Sequence, residues 1–316
     1  MRRALIVGIN DYSIAPLTGC VNDAVKMNKL LSRNQDNSPN FTCKLFTAPS
    51  YSITRPFLRE QIQDLFASDA DVALFYFSGH GFINNLGGYL VTQDAAQYDE
   101  GIYMNDVLTL AINAPIREIV IILDCCHSGA LGENPNVTNQ NQSVLREGIS
   151  ILTSSRKTQL SFETGGAGVF TSLVCDALDG GASDVLGNVT VASIYNYVDS
   201  ALGAWDQRAL FKSHVSKLIP LRYCTPEIDP AILRLLPEYF LEANSEHQLD
   251  SSYEPRAEPK NERNEQILLN FQKLRNARLL VTVGEDHLYD AAMKSKSCKL
   301  TPLGRFYWKL AQTGRL

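Results

Sequence analysis

The chain has 316 residues, 45% of them hydrophobic and 20% charged, with a formal net charge of −5. That length suffices for one α/β domain and a smaller second unit, while the acidic balance gives no general case for nucleic-acid binding. No run reaches the ~18 apolar residues that a membrane span needs, and the opening Ala4–Ile9 run is too short for a secretory signal. Seven cysteines without a CxxC pair fit a reducing cytoplasm better than a disulfide framework.

In chain order, Arg2 to Ile9 reads as a first, central strand, followed by a loop over Asp11 to Gly19. Val21 to Ser32 carries apolar residues at helical period. Phe41 to Phe46 is a second strand, and Thr54 caps a helix that runs to Ala67. Asp71 to Ser78 is an apolar strand ending in Gly79, His80 and Gly81. Gly87 and Gly88 mark a turn before a short strand at Tyr89 to Val91. A helix over Asn105 to Ala114 leads into the strand Ile119 to Leu123. The polar stretch Gly132 to Glu147 reads as a loop, Gly148 to Ser154 as a strand, and Gly168 to Leu178 and Val191 to Leu202 as helices. Val215 to Leu221 is expected to close the sheet. Strands alternating with helices argue an α/β fold, a wound, mostly parallel sheet with helices on both faces.

Chemistry concentrates where two apolar strands end. Ile119 to Leu123, buried on both faces by its pattern, stops in Asp124, Cys125, Cys126, His127, Ser128 and Gly129; the other strand stops at His80. In open α/β sheets ligands bind beyond the carboxyl ends of the strands. Side chains alternate along a strand, so Val120, Ile122, Asp124 and Cys126 share one side, with Tyr76, Ser78 and His80 matching them. Cys125 then points with Ile121 and Leu123 into packing, as a small buried hydrophobe. The expected pair is Cys126 as nucleophile and His80 as base. A free thiol with a pKa near ~8.5 is mostly protonated at neutral pH, and an adjacent imidazole corrects that. The N–H groups of Gly81 and Cys126 are candidate donors to the oxyanion. A zinc site from His80, Cys125, Cys126 and His127 is disfavoured, because adjacent cysteines reach one tetrahedral ion poorly.

SGHG at His80, with DCCHSG placing Cys126 46 residues later, resembles the caspase-type clan of cysteine peptidases and specifically the metacaspases. LIVGIN (Leu5 to Asn10), LTGCVNDA (Leu17 to Ala24), ILTSS (Ile151 to Ser155) and GVFTSLV (Gly168 to Val174) fall where such a domain has them, so the likeness covers about residues 3 to 222. It implies a caspase-like, six-stranded sheet. It also implies that Cys20, Asp23, Ser78 and Asp124 line the pocket for the residue before the scissile bond and select Arg or Lys. Two carboxylates in one pocket repel until a cation enters, and a guanidinium takes a bidentate, charge-assisted bond. Many metacaspases are calcium-activated through clustered aspartates. Here GFINNLGGYL after His80 has no acid and MNDV supplies only Asp106, so no cofactor is expected, calcium included. Self-cleavage, if it occurs, has candidate sites at Arg146 and at Arg156-Lys157.

The expected organisation is a peptidase domain over 1–224, a helix and polar linker over 225–263, and a small winged-helix-like unit over 264–316. Asp229-Pro230 starts a helix, Gln266 to Leu280 is a second, and Thr301 caps a third with Leu303, Phe306, Tyr307 and Leu310 as its apolar face. Residues 261–316 hold ten Lys/Arg against five Asp/Glu, which suits a small anionic or nucleotide activator. The layout implies a cytoplasmic effector of bacterial defence or cell death that cuts protein substrates, with no membrane or nucleic-acid partner, and a homodimer is consistent with the small unit. The alternatives are a self-processing metacaspase of housekeeping or stress role and a catalytically idle scaffold.

Overall fold

The computed structural model describes residues 1–125, 145–154, 163–164, 167–202 and 209–316. Its strands are β1 (Arg2–Ile9), β2 (Thr42–Ala48), β3 (Val72–Ser78), β4 (Gly81–Asn84), β5 (Gly87–Ala96), β6 (Asp99–Tyr103), β7 (Glu118–Asp124), β8 (Ile149–Thr153), β9 (Glu163–Thr164), β10 (Ala167–Gly168), β11 (Asn188–Thr190), β12 (Leu210–His214), β13 (Pro220–Tyr223), β14 (Glu246–Gln248), β15 (Leu280–Val283) and β16 (Ser297–Leu300). The helices are α1 (Cys20–Ser32), α2 (Arg55–Phe66), α3 (Met104–Asn113), α4 (Val169–Asp176), α5 (Val191–Leu202), α6 (Pro230–Arg234), α7 (Leu236–Tyr239), α8 (Glu262–Asn276), α9 (Leu288–Met293) and α10 (Pro302–Gln312).

The chain divides into two compact units, Met1–Ser183 with Asn188–Thr225, and Asp184–Gly187 with Pro226–Leu316. The first is an α/β unit built on a six-stranded sheet in the order β12-β8-β7-β3-β1-β2. All neighbours run parallel except β12, which is antiparallel to β8. β3 and β7 are buried along their whole length and occupy the centre, as continuous aliphatic runs should. β1, expected at the centre, lies one place out, covered by the half-exposed edge strand β2. The sheet is closed by Leu210–His214, not by Val215–Leu221; Pro220–Tyr223 pairs instead with β11 in a separate ladder. An antiparallel edge strand is only half covered, so its sequence carries little apolar signal.

Alternation along the strands sorts the core into two layers. Ile119, Ile121, Leu123 and Cys125 face a layer that includes Phe75, Phe77 and Tyr12. Val120 and Ile122 face the other, with Tyr76, Met27, Phe170 and Val174. A three-stranded antiparallel sheet, β4-β5-β6, follows the carboxyl end of β3.

The second unit has its own core, with Phe240, Phe271, Leu274, Leu279, Tyr307 and Trp308 among its buried residues. The stretch expected as a polar linker contributes to it. Leu249 and Tyr253 are buried, and β14 pairs with β16, which also pairs with β15. Polar residues alternate there with a few well-placed apolar ones, too few for a periodicity to register. On α10, Thr301 caps as expected, accepting from the Gly304 N–H at 3.1 Å. Its buried face is Gly304, Tyr307 and Trp308, whereas Leu303 and Phe306 are exposed. Gly304 sets that rotation, because a Cβ there would lie 2.0 Å from the Leu279 carbonyl oxygen.

Arg146 fastens the connection that feeds β7. Its guanidinium donates to the carbonyls of Ile112 (3.0 Å), Ile116 (2.7 Å) and Ala114 (3.3 Å), and to Glu147 O (2.7 Å). Removing a charged donor strands several acceptors at once. Arg146→Ala should therefore lower unfolding stability by about 3 kcal/mol in chemical denaturation, and Arg146→Lys should recover only part of it, since one ammonium cannot replace the planar fork.

Candidate active site

The histidine is placed by β3 and by a tyrosine that the sequence did not single out. Beyond Ser78, the Gly79 N–H donates to Asp124 O at 3.3 Å and carries the β3–β7 ladder one residue further. A Cβ on Gly79 would lie 2.4 Å from the Tyr12 hydroxyl oxygen, so only glycine permits that approach. The Tyr12 hydroxyl accepts from the His80 N–H at 3.0 Å and donates to Val91 O at 3.2 Å. The Val91 N–H in turn donates to His80 O at 3.0 Å. Burial foremost pushes the Tyr12 phenol well above its ordinary pKa, so it remains a donor at any working pH.

The imidazole ring lies 4.6 Å from the Tyr12 ring, centroid to centroid, and its Nε2 is 2.6 Å from the Ala15 carbonyl oxygen. A carbonyl only accepts. This pairing assigns the proton of the neutral ring to Nε2 and leaves the Nδ1 lone pair as the base. Neither Tyr12 nor Ala15 announces this role by residue type, because the Ala15 contribution is a backbone oxygen.

The acidic residues gather on the other face. Asp124 Oδ2 accepts from the Thr171 hydroxyl at 2.6 Å, and that hydroxyl lies 2.7 Å from the Tyr76 hydroxyl. Thr171 has one proton and gives it to the carboxylate, so Tyr76 donates to Thr171. Burial first, and Asp124 next, raise the Tyr76 pKa well above its ordinary value, which keeps that donor intact. Asp23 lies in the first turn of α1, and its Oδ2 accepts from the Gly168 N–H at 3.0 Å. Both carboxylates therefore meet at Gly168, where a Cβ would lie 2.4 Å from Asp124 Oδ2 and 3.1 Å from Asp23 Oδ2. Ser78 is buried and pairs in register with Asp124. Cys20, also buried, is close enough to raise the Tyr12 pKa, as is Cys125.

Cys125 packs in the layer with Ile121 and Leu123, on the side opposite Asp124. Burial pushes the thiols of Cys43 and Cys175 up to about 12. Cys126, Arg156 and Lys157 lie outside the described residues. Arg146, the remaining candidate for self-cleavage, has its side chain engaged with four carbonyls, and Gly81 opens β4 directly after His80. Among the described residues, no three of His, Cys, Asp and Glu converge to hold a metal ion, and no helix is long and apolar enough to cross a membrane.

A six-stranded, mostly parallel sheet with Asp124 and a histidine at the carboxyl ends of neighbouring strands is a caspase-like fold. The family model described as "Caspase domain" matches residues 1–226, the stretch that contains the first unit. The chain belongs to this family of cysteine peptidases. No curated protein matches it. Among solved structures, protein GSU0716 from Geobacter sulfurreducens superposes with a TM-score of 0.53 at 15% identity, covering 71% of this chain and 99% of that one. Caspase-1 from Spodoptera frugiperda gives a TM-score of 0.49 at 16% identity, covering 71% and 90%.

The Gly168 geometry makes a direct prediction. Gly168→Ala keeps an ordinary backbone, since φ is −67°, but drives a methyl group into both carboxylates. It should therefore lower unfolding stability by about 1–3 kcal/mol in chemical denaturation, the usual cost of overpacking; a variant as stable as the parent would show that the two carboxylates are free to move aside.

Proposed function

We propose that the protein is a cysteine endopeptidase that cleaves after Arg or Lys, with Cys126 as nucleophile and His80 as its base, in the manner of the metacaspases. The observation that carries this reading is the meeting of Asp23 and Asp124 beside Gly168, Asp23 from the start of α1 accepting from the Gly168 N–H and Asp124 from the end of β7, next to the strand that delivers His80. In a buried pocket, two carboxylates favour a cation strongly and an anionic side chain not at all. Ser78 at the same strand end adds a small polar wall.

The chemistry follows from the tautomer. His80 Nδ1 takes the Cys126 thiol proton as the sulfur attacks the substrate carbonyl, and the N–H groups of Gly81 and Cys126 receive the developing oxyanion. The imidazolium then gives its proton to the leaving amine as the carbon–nitrogen bond breaks. Water, deprotonated by the same imidazole, hydrolyses the thioester and restores the thiol. Burial of the Cys125 side chain and the high thiol pKa values of Cys43 and Cys175 leave them poorly suited to this role.

Calcium is not required in this reading. Asp106 is engaged by Arg59 at 3.3 Å, and the β4–β5 hairpin carries no acid before Asp94. In a peptide panel, Arg and Lys substrates should be cut at least a hundredfold faster than Asp substrates, with activity retained in a calcium chelator. Cys126→Ala should abolish turnover and Cys125→Ala should keep most of it. Preference for Asp, or activity surviving in Cys126→Ala, would overturn the assignment.

We also propose that the protein is a regulated effector of bacterial defence or cell death, switched by a small ligand in its C-terminal unit. The layout supports the first part. The second is supported by a cleft of about 740 Å³ whose lining includes Arg256, Lys260, Glu254, Glu258, Asn261 and Tyr289, a mixture of both charges with amide and aromatic groups suited to a polar ring compound. Native mass spectrometry of the intact chain should detect a copurifying small molecule, and Arg256→Ala with Tyr289→Ala should abolish its retention.

A further inference from the structure

His80 stands between two different recognition surfaces. The acids lie over the layer of Tyr76 and Phe170, whereas Tyr12, beside the imidazole, belongs to the opposite layer with Phe77 and Leu123. On that second side a cleft of about 310 Å³ opens between the 12–15 segment and the β4–β5 hairpin, and His80 forms part of its wall. Apart from His80, no residue lining it is ionisable below the tyrosine range. Its main polar side chains are already engaged. Tyr12 is bonded as described, the Thr92 hydroxyl donates to Asp94 Oδ1 at 2.7 Å, and the Gln93 amide donates to Asp11 O at 2.9 Å while accepting from the Ile53 N–H at 2.7 Å. What the cleft offers a visitor is chiefly Ile14, Ala15, Phe82 and Val91. Ile14 is 84% and Phe82 41% exposed.

The occupant follows from the reaction. With the residue before the cut held by the acids, the peptide beyond the scissile bond lies on the other side of His80, where its amine stays within reach of the group that protonates it. We infer that this cleft is the subsite for the leaving half of the peptide, and that it selects an apolar side chain at the first or second position after the cut. Specificity in this reading is two-sided, with a cation held over one face of the sheet and an apolar residue over the other. The inference rests on the peptidase reading above.

Two kinds of substrate separate the claims. A peptidyl-Arg arylamide has no residues after the scissile bond and tests the peptidase alone. Internally quenched peptides carrying Arg before the cut, with Leu, Phe, Asp or Lys placed in turn at each of the next two positions, test the cleft. Expected is arylamide cleavage together with a roughly tenfold higher kcat/KM for Leu or Phe than for Asp or Lys at one of those positions, the scale of burying one aliphatic group. In Phe82→Ser, and in the exposed Ile14→Ser as an independent variant, the ratio of Leu to Asp peptides should fall to within about twofold, each variant serving as its own reference. An arylamide that is not cut sinks the peptidase reading and takes this inference with it. Arylamide cleavage with no apolar preference at either position, or a preference unmoved in both variants, sinks the inference alone.

Discussion

The bond from His80 Nε2 to the Ala15 carbonyl oxygen, 2.6 Å long, determines what the rest of the site can do. A histidine free to rotate would distribute its proton between two nitrogens and its ring between several orientations. Tied to an obligate acceptor, it presents one basic nitrogen in one direction. The carbonyl reaches the ring because Ala15 adopts a φ of 57°, in the left-handed region that costs a non-glycine residue about 1 kcal/mol or more. The Tyr12 hydroxyl, bonded to the backbone of both His80 and Val91, stabilises the surrounding loop and offsets part of that cost. A catalytic carboxylate is unnecessary for orientation when a main-chain oxygen performs it.

The second constraint is the two-residue period of a strand. Because Asp124 and Cys125 are adjacent, they must face opposite layers, and the core shows that they do: Cys125 with Ile121 and Leu123, Asp124 against Thr171. The same alternation on β3 turns Tyr76 towards the acids and Phe77 towards Tyr12. At the carboxyl edge the buried Asp124 thus lies on one side of the sheet, and Tyr12, beside the imidazole, on the other.

Much of this was legible in the sequence because unbroken aliphatic runs ending in reactive residues can be little other than buried parallel strands, and alternation then assigns faces. β3, β7 and the burial of Cys125 followed in that way. Three features were not legible. The edge strand β12 is half solvated and lacks a strong apolar pattern. The roles of Ala15 and Tyr12 rest on a backbone oxygen and on a hydroxyl whose partners are distant in sequence. Arg146, read as a candidate self-cleavage site in a polar loop, spends its guanidinium on main-chain carbonyls, a use that composition cannot distinguish from solvent exposure.

The C-terminal unit shows why counting residues in one stretch misjudges stability. The helices and strands beyond residue 264 alone would make a marginal core for their length. The unit enlarges it with Leu233, Leu236 and Phe240 from α6 and α7 and the turn after them, with Leu249 and Tyr253 from the polar stretch, and with Val185 from a segment far back in the chain. Polar cross-links then fix the added pieces. The Trp308 indole N–H donates to Phe240 O at 2.9 Å, and His247 spans Tyr239 O and the Tyr253 hydroxyl, both at 2.7 Å. In that imidazole the Tyr239 carbonyl can only accept, so Nδ1 carries the proton and Nε2 accepts from Tyr253. The same rule that assigns the His80 tautomer in the first unit therefore gives the opposite tautomer here, and with both nitrogens committed His247 is a structural clamp and no base.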